Sequence, residues 1–65
     1  MNFEQALAAM REGKVVRSMD NMIKYRLTLH VFQWWDMERR EWIVTHAFHD
    51  SDILAEDWEV VNENA

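Results

Sequence analysis

Residues 23–48 read IKYRLTLHVFQWWDMERREWIVTHAF, and the period of this stretch decides the fold. Ile23, Tyr25, Leu27, Leu29 and Val31 alternate with Lys24, Arg26, Thr28, His30 and Phe32. A period of two is the mark of a strand, and the first set is predicted to pack beneath a helix. Between Trp35 and Glu41 stand Asp36, Glu38, Arg39 and Arg40, a polar cluster that reads as a hairpin turn although the favoured Asn-Gly pair is missing. Trp42, Val44, His46 and Phe48 then alternate with Ile43, Thr45 and Ala47, giving the returning strand.

Towards the N-terminus the period changes. Phe3, Ala6, Leu7 and Met10 recur at i, i+3, i+4 and i+7, one apolar stripe of a helix. Asn2 and Gln5 are spaced as a capping pair at its start, and Gly13 suits the left-handed residue that ends it. Val16, flanked by Lys14 and Arg17, opens a short strand. Towards the C-terminus, Asp52 is read as the cap of a single turn, Ile53-Leu54-Ala55, ahead of a last strand from Trp58 to Val61. These elements define an α+β fold, an N-terminal helix packed on an antiparallel sheet of about four strands. With no linker, repeat or low-complexity tract, residues 1–65 form a single domain.

A chain of 65 residues and 7.9 kDa has room for one thin core, which excludes a two-domain enzyme. It contains no Cys for disulfides or thiolate metal sites, so another copy of the chain is the expected stabiliser, as a dimer or tetramer. Eight aromatic residues, four of them Trp, speak for a folded domain. The net charge of −5 is uneven: residues 1–49 carry seven basic and six acidic groups, residues 50–65 six acidic and no basic ones. Arg11, Lys14, Arg17, Lys24 and Arg26 face only Glu12 and Asp20 between residues 11 and 26, so this segment can meet an anion. No run of 18 apolar residues and no signal-peptide pattern occur, and the expectation is a soluble, unexported protein without membrane contact.

Two segments together resemble a known family. Residues 2–17, NFEQALAAMREGKVVR, and residues 52–61, DILAEDWEVV, are similar to the opening and closing blocks of a phage-encoded family of small proteins that includes the second-type Thoeris anti-defence proteins. The blocks cover about 40% of the chain, and the second is the more specific. The resemblance implies a helix plus antiparallel sheet assembled as a homotetramer. It also implies a non-enzymatic sponge, working in the cytoplasm of the host bacterial cell, that sequesters cyclic nucleotide immune signals such as cyclic ADP-ribose isomers or cyclic dinucleotides.

A nucleotide pocket needs aromatic planes for bases and cations for phosphates. Trp34, Trp35 and Trp42 flank one hairpin, with Arg17, Lys24 and Arg26 on neighbouring strands. Adjacent Trp34 and Trp35 must point to opposite faces, so at most one is core. The predicted ligand-binding set is Arg17 as phosphate clamp, Arg26 as second cation, Trp34 as base platform and Asp57 as polar acceptor. Other uses stay open: the indoles as core or subunit contacts, the arginines as ion-pair partners of Glu56, Asp57 or Glu59, and Asp57 as a turn former bonded to backbone amides. Trp58 is assigned to the core. Because one protomer is too thin to enclose a nucleotide, the site is expected between subunits.

His30, His46 and His49 do not have metal-ligand spacing, and no metal or cofactor is expected. Only Ser18 and Ser51 are serine nucleophile candidates and no Gly-rich phosphate loop exists, which argues against catalysis. The alternative function is a protein-binding inhibitor of a bacterial defence complex, of the anti-CRISPR or anti-restriction type, with the acidic C-terminal segment imitating nucleic-acid phosphates. Single-strand nucleic-acid binding is disfavoured by the net negative charge.

Overall fold

The computed structural model describes residues 1–19 and 22–61. Asp20 and Glu63, which enter the charge reading, lie outside them. Helix α1, Phe3–Arg11, begins as its sequence dictates. The Asn2 side chain accepts from the Gln5 amide at 2.8 Å, and the Asn2 amide donates to Gln5 Oε1 at 2.9 Å. This reciprocal box satisfies two amides that a helix start leaves open. At the other end Gly13, with φ of 88°, donates to Met10 O while Lys14 donates to Ala9 O. That double closure is a Schellman motif, and it turns the chain directly into the sheet.

Strands β1 (Val15–Ser18), β2 (Lys24–Thr28), β3 (Val31–Asp36), β4 (Glu41–Val44) and β5 (Trp58–Val61) form one antiparallel sheet in the order β4-β3-β2-β1-β5. The sheet therefore has five strands against the four or so expected. The extra strand arises because the alternation from Ile23 to Phe32 is broken at Leu29-His30, whose φ values are 52° and 65°. Thr28 pairs with Val31 across these two residues, the connection of a two-residue hairpin. Left-handed backbone is unfavourable for Leu and His, so neither residue announces the turn in the sequence.

Several side chains consequently face the other way from the sequence-based assignment. Leu29, predicted beneath the helix, is 88% exposed at the turn, and Val31 shares the opposite face with Thr28. Phe32 crosses to the helix side, where it pairs with Leu27 and meets Phe48 edge-on at 5.3 Å. Phe48 belongs to no strand: β4 ends at Val44, and the following loop carries its ring under the helix.

The core between α1 and the sheet consists of Ala6, Ala9, Met10, Val16, Tyr25 and Trp58, with Phe3, Leu27, Phe32, Trp34 and Phe48 packed against it. Small alanines on α1 let the helix approach a sheet face that carries the rings. Trp58 is in the core as predicted, and Met1 and Trp58 exchange backbone hydrogen bonds of 2.9 Å that tie the chain start to β5.

Asp52 departs from its predicted role. Helix α2 is Asp50–Leu54, with His49 at its cap position, so Asp52 lies within the helix and is fully buried. Its carboxylate accepts from Tyr25 Oη at 3.3 Å, and its carbonyl accepts from Trp58 Nε1 at 2.8 Å. Asp52 thus anchors α2 to β2 and β5 rather than starting a turn. No helix among the described residues is long and apolar enough to cross a membrane.

Candidate ligand-binding face

One face of the sheet lies beneath α1, and the other carries no layer among the described residues. Alternation on each strand sends Val15, Arg17, Lys24, Arg26, Val31, Gln33, Trp35, Trp42, Val44 and Glu59 to this open face. Register aligns them. Glu59 stands opposite Arg17, Arg17 opposite Lys24, and Trp35 opposite Trp42, making one row across all five strands. In the next row Arg26 faces Gln33, which faces Val44.

The contacts within these rows are specific. The Arg26 guanidinium lies 4.2 Å from the Trp42 ring centroid, and its Nε donates to Gln33 Oε1 at 2.7 Å. Lys24 Nζ sits 5.3 Å from the centre of Trp35. The two indoles meet edge to face at 5.5 Å and 62°. Each cation is held over an aromatic plane by quadrupole attraction, which keeps positive charge beside apolar ring surface. Arg17 takes the ion-pair use that the sequence left open: its Nε and Nη2 both lie 2.6 Å from Glu59 Oε1.

Two hollows adjoin Trp35. One, about 380 Å³, is lined by Arg17, Met22, Lys24, Trp35, Met37 and Val61. The other, about 440 Å³, shares Met22, Lys24, Trp35 and Met37 and adds Ile23, Trp34, Asp36 and Glu38. The first brings two cations, an indole and two flexible thioethers to one place, a lining suited to a planar, anionic molecule.

Of the predicted site residues, Arg17 and Arg26 share the open face. Trp34 does not: it pairs with Tyr25 and Ile43 on the helix side, packed against the core. The indole beside the cations is Trp35, with Trp42 next to it. Asp57 lies outside both hollows, in the loop before β5, and lines a third hollow of about 450 Å³ with Ser51, Leu54, Ala55 and Glu56. Its carboxylate makes no hydrogen bond with the described residues, so the expected turn contact is not formed there. Lys24, Gln33, Trp35, Trp42 and Glu59 complete the face. A two-residue turn at 29–30 would have signalled them, since it sets Lys24 against Trp35 and Arg26 against Gln33.

Among the described residues no group of three or more His, Asp or Glu side chains converges as a metal site. No protein-family model matches this chain, and no curated protein or solved structure matches it either.

Proposed function

We propose that this chain is a phage counter-defence protein that binds and sequesters a cyclic nucleotide immune signal without degrading it, on the open sheet face and between copies of itself. The observation that carries the reading is the pair of cation-on-indole contacts, Arg26 on Trp42 and Lys24 on Trp35, set side by side with Arg17. A cyclic nucleotide presents flat bases and phosphodiester anions, and this face offers flat rings with cations beside them. The resemblance of residues 2–17 and 52–61 to the anti-defence family supplies the biological setting. A second copy supplies the missing wall, because the hollows beside Trp35 open to solvent and one sheet face cannot surround a nucleotide. The indoles of the face hold a ligand by stacking and its polar groups by hydrogen bonding and charge, which is the chemistry of storage rather than turnover.

Native mass spectrometry of the purified protein, alone and with a panel of cyclic nucleotides and cyclic ADP-ribose isomers, tests this directly. The expected result is an oligomer that gains the mass of one panel member and releases it chemically unchanged on heating. An oligomer that ignores the whole panel would sink the proposal. A second reading, a protein-binding inhibitor of a bacterial defence complex, is favoured by a different surface. Ile53 and Leu54 are exposed beside Asp50, Glu56 and Asp57, an apolar knob in acidic surroundings. Specific retention of one defence component from a host lysate, lost in Leu54→Ser, is the outcome it requires.

A further inference from the structure

Arg17 lines the 380 Å³ hollow, yet its guanidinium is already engaged by Glu59. The two residues are directly opposed on β1 and β5, so the sheet register brings them together. Two donors converge on one carboxylate oxygen, a strong arrangement for a pair with side chains 33% and 43% exposed. Being that exposed, the Glu59 carboxylate can rotate into water without being stranded in the protein. An anion that approaches Arg17 must therefore displace a carboxylate of the same chain.

We infer that Glu59 is a selectivity residue, which holds Arg17 in the ligand-free protein and yields it to ligands by their charge. The inference rests on the nucleotide-binding reading of the open face. A neutral nucleoside has nothing to offer Arg17 and leaves the pair closed. A singly charged phosphodiester exchanges one monoanion for another at little gain. A phosphate group of higher charge gains more from Arg17, and more again from Lys24 on the same hollow, than Glu59 loses by moving into water. Affinity thus rises with ligand charge in the native protein, and Glu59 sets the threshold. Glu59→Gln removes both the competitor and a negative charge from the rim, so the largest gain goes to the most charged ligand.

Isothermal titration of the native protein and of Glu59→Gln with adenosine, cyclic AMP and ADP, at fixed low ionic strength, tests this. These probes share one base and are neutral, singly and multiply charged. Glu59→Gln is expected to bind ADP about three- to tenfold more tightly, cyclic AMP less than that, and adenosine with no change. A uniform change across the three probes, or weaker ADP binding, overturns the inference, because Glu59 would then only position Arg17. If the native protein binds ADP and Glu59→Gln binds it equally, selectivity by Glu59 fails while the nucleotide-binding face stands. If neither protein binds any probe, the inference about Glu59 falls, and the nucleotide-binding reading is decided separately by the cyclic nucleotide panel. A measurement free of the variant's folding is the Arg17 Nε–H resonance of the native protein, assigned as the one lost in Arg17→Lys. It is expected to shift on adding ADP and to stay in place on adding adenosine, and an unmoved resonance with bound ADP overturns the inference.

Discussion

Arg26 is the residue that links the two halves of the open face, since its guanidinium covers Trp42 while its Nε is held by Gln33. In Arg26→Ala the stacked cation and the phosphate donor disappear together. Nucleotide affinity measured by titration is expected to fall about tenfold, the order of one charge-assisted contact, with the circular dichroism of the protein unchanged. Trp34 and Trp42 form a contrasting pair despite their shared chemistry. Trp34→Ala opens the helix side of the sheet and is expected to cost about 3 kcal/mol in urea unfolding, whereas Trp42→Ala acts chiefly on ligand binding. Equal stability losses for the two would contradict the assignment of faces. Asp52 works at the same scale on the other side of the sheet. Its buried carboxylate accepts from Tyr25, so Asp52→Ala is expected to destabilise the domain by about 2 kcal/mol, with Asp52→Asn losing less.

The β2–β3 hairpin is the element on which the open face depends. Its two-residue turn places Lys24 against Trp35 and Arg26 against Gln33, and a slip of one residue would send those side chains to the helix side. Leu29 and His30 hold left-handed backbone without the glycine or asparagine such turns favour, and both are exposed. Replacing them by Asn-Gly removes that conformational cost and loses no buried contact. The double variant Leu29→Asn, His30→Gly is expected to be about 1–2 kcal/mol more stable in urea, with ligand binding retained. A less stable double variant would show that the exposed Leu29 is covered by something in solution. The α1 helix was legible in full, because its capping box, apolar stripe and terminal Gly13 act within a few residues of one another.

For the whole molecule, the defining feature is an α+β layer with one sheet face packed and the other bearing hydrophobic side chains, Val15, Val31, Val44, Val61, Trp35 and Trp42, among its cations. A domain of 65 residues buries too little surface to be strongly stable alone, and closing this face against another copy adds to the buried area. The thermal midpoint is therefore expected to rise by several degrees between micromolar and hundred-micromolar protein, as mass action requires when the native state associates. Sedimentation across the same range gives the matching shift in mass. A midpoint independent of concentration, with monomer mass throughout, would remove the second copy from the proposed site.

The sequence alone determined what local physics controls: the helix and its caps, the period of two on either side of the central turn, the closing strand with Trp58 in the core, and the α+β class. It also grouped Arg17 with Arg26, which the structure sets on the same open face. Tertiary structure decided which indole joins them. Adjacent Trp34 and Trp35 are equivalent in composition and propensity, and only the register imposed by a turn without a turn signature sends one to the core and the other to the cations. It likewise decided the fate of Asp52, because a lone Asp ahead of an apolar run looks like a cap until Tyr25 from distant β2 and Trp58 from the adjoining β5 bury it. The first outcome hangs on a hairpin register that no turn residue marks, and the second on Tyr25, 27 residues from Asp52, so packing rather than local preference settles both.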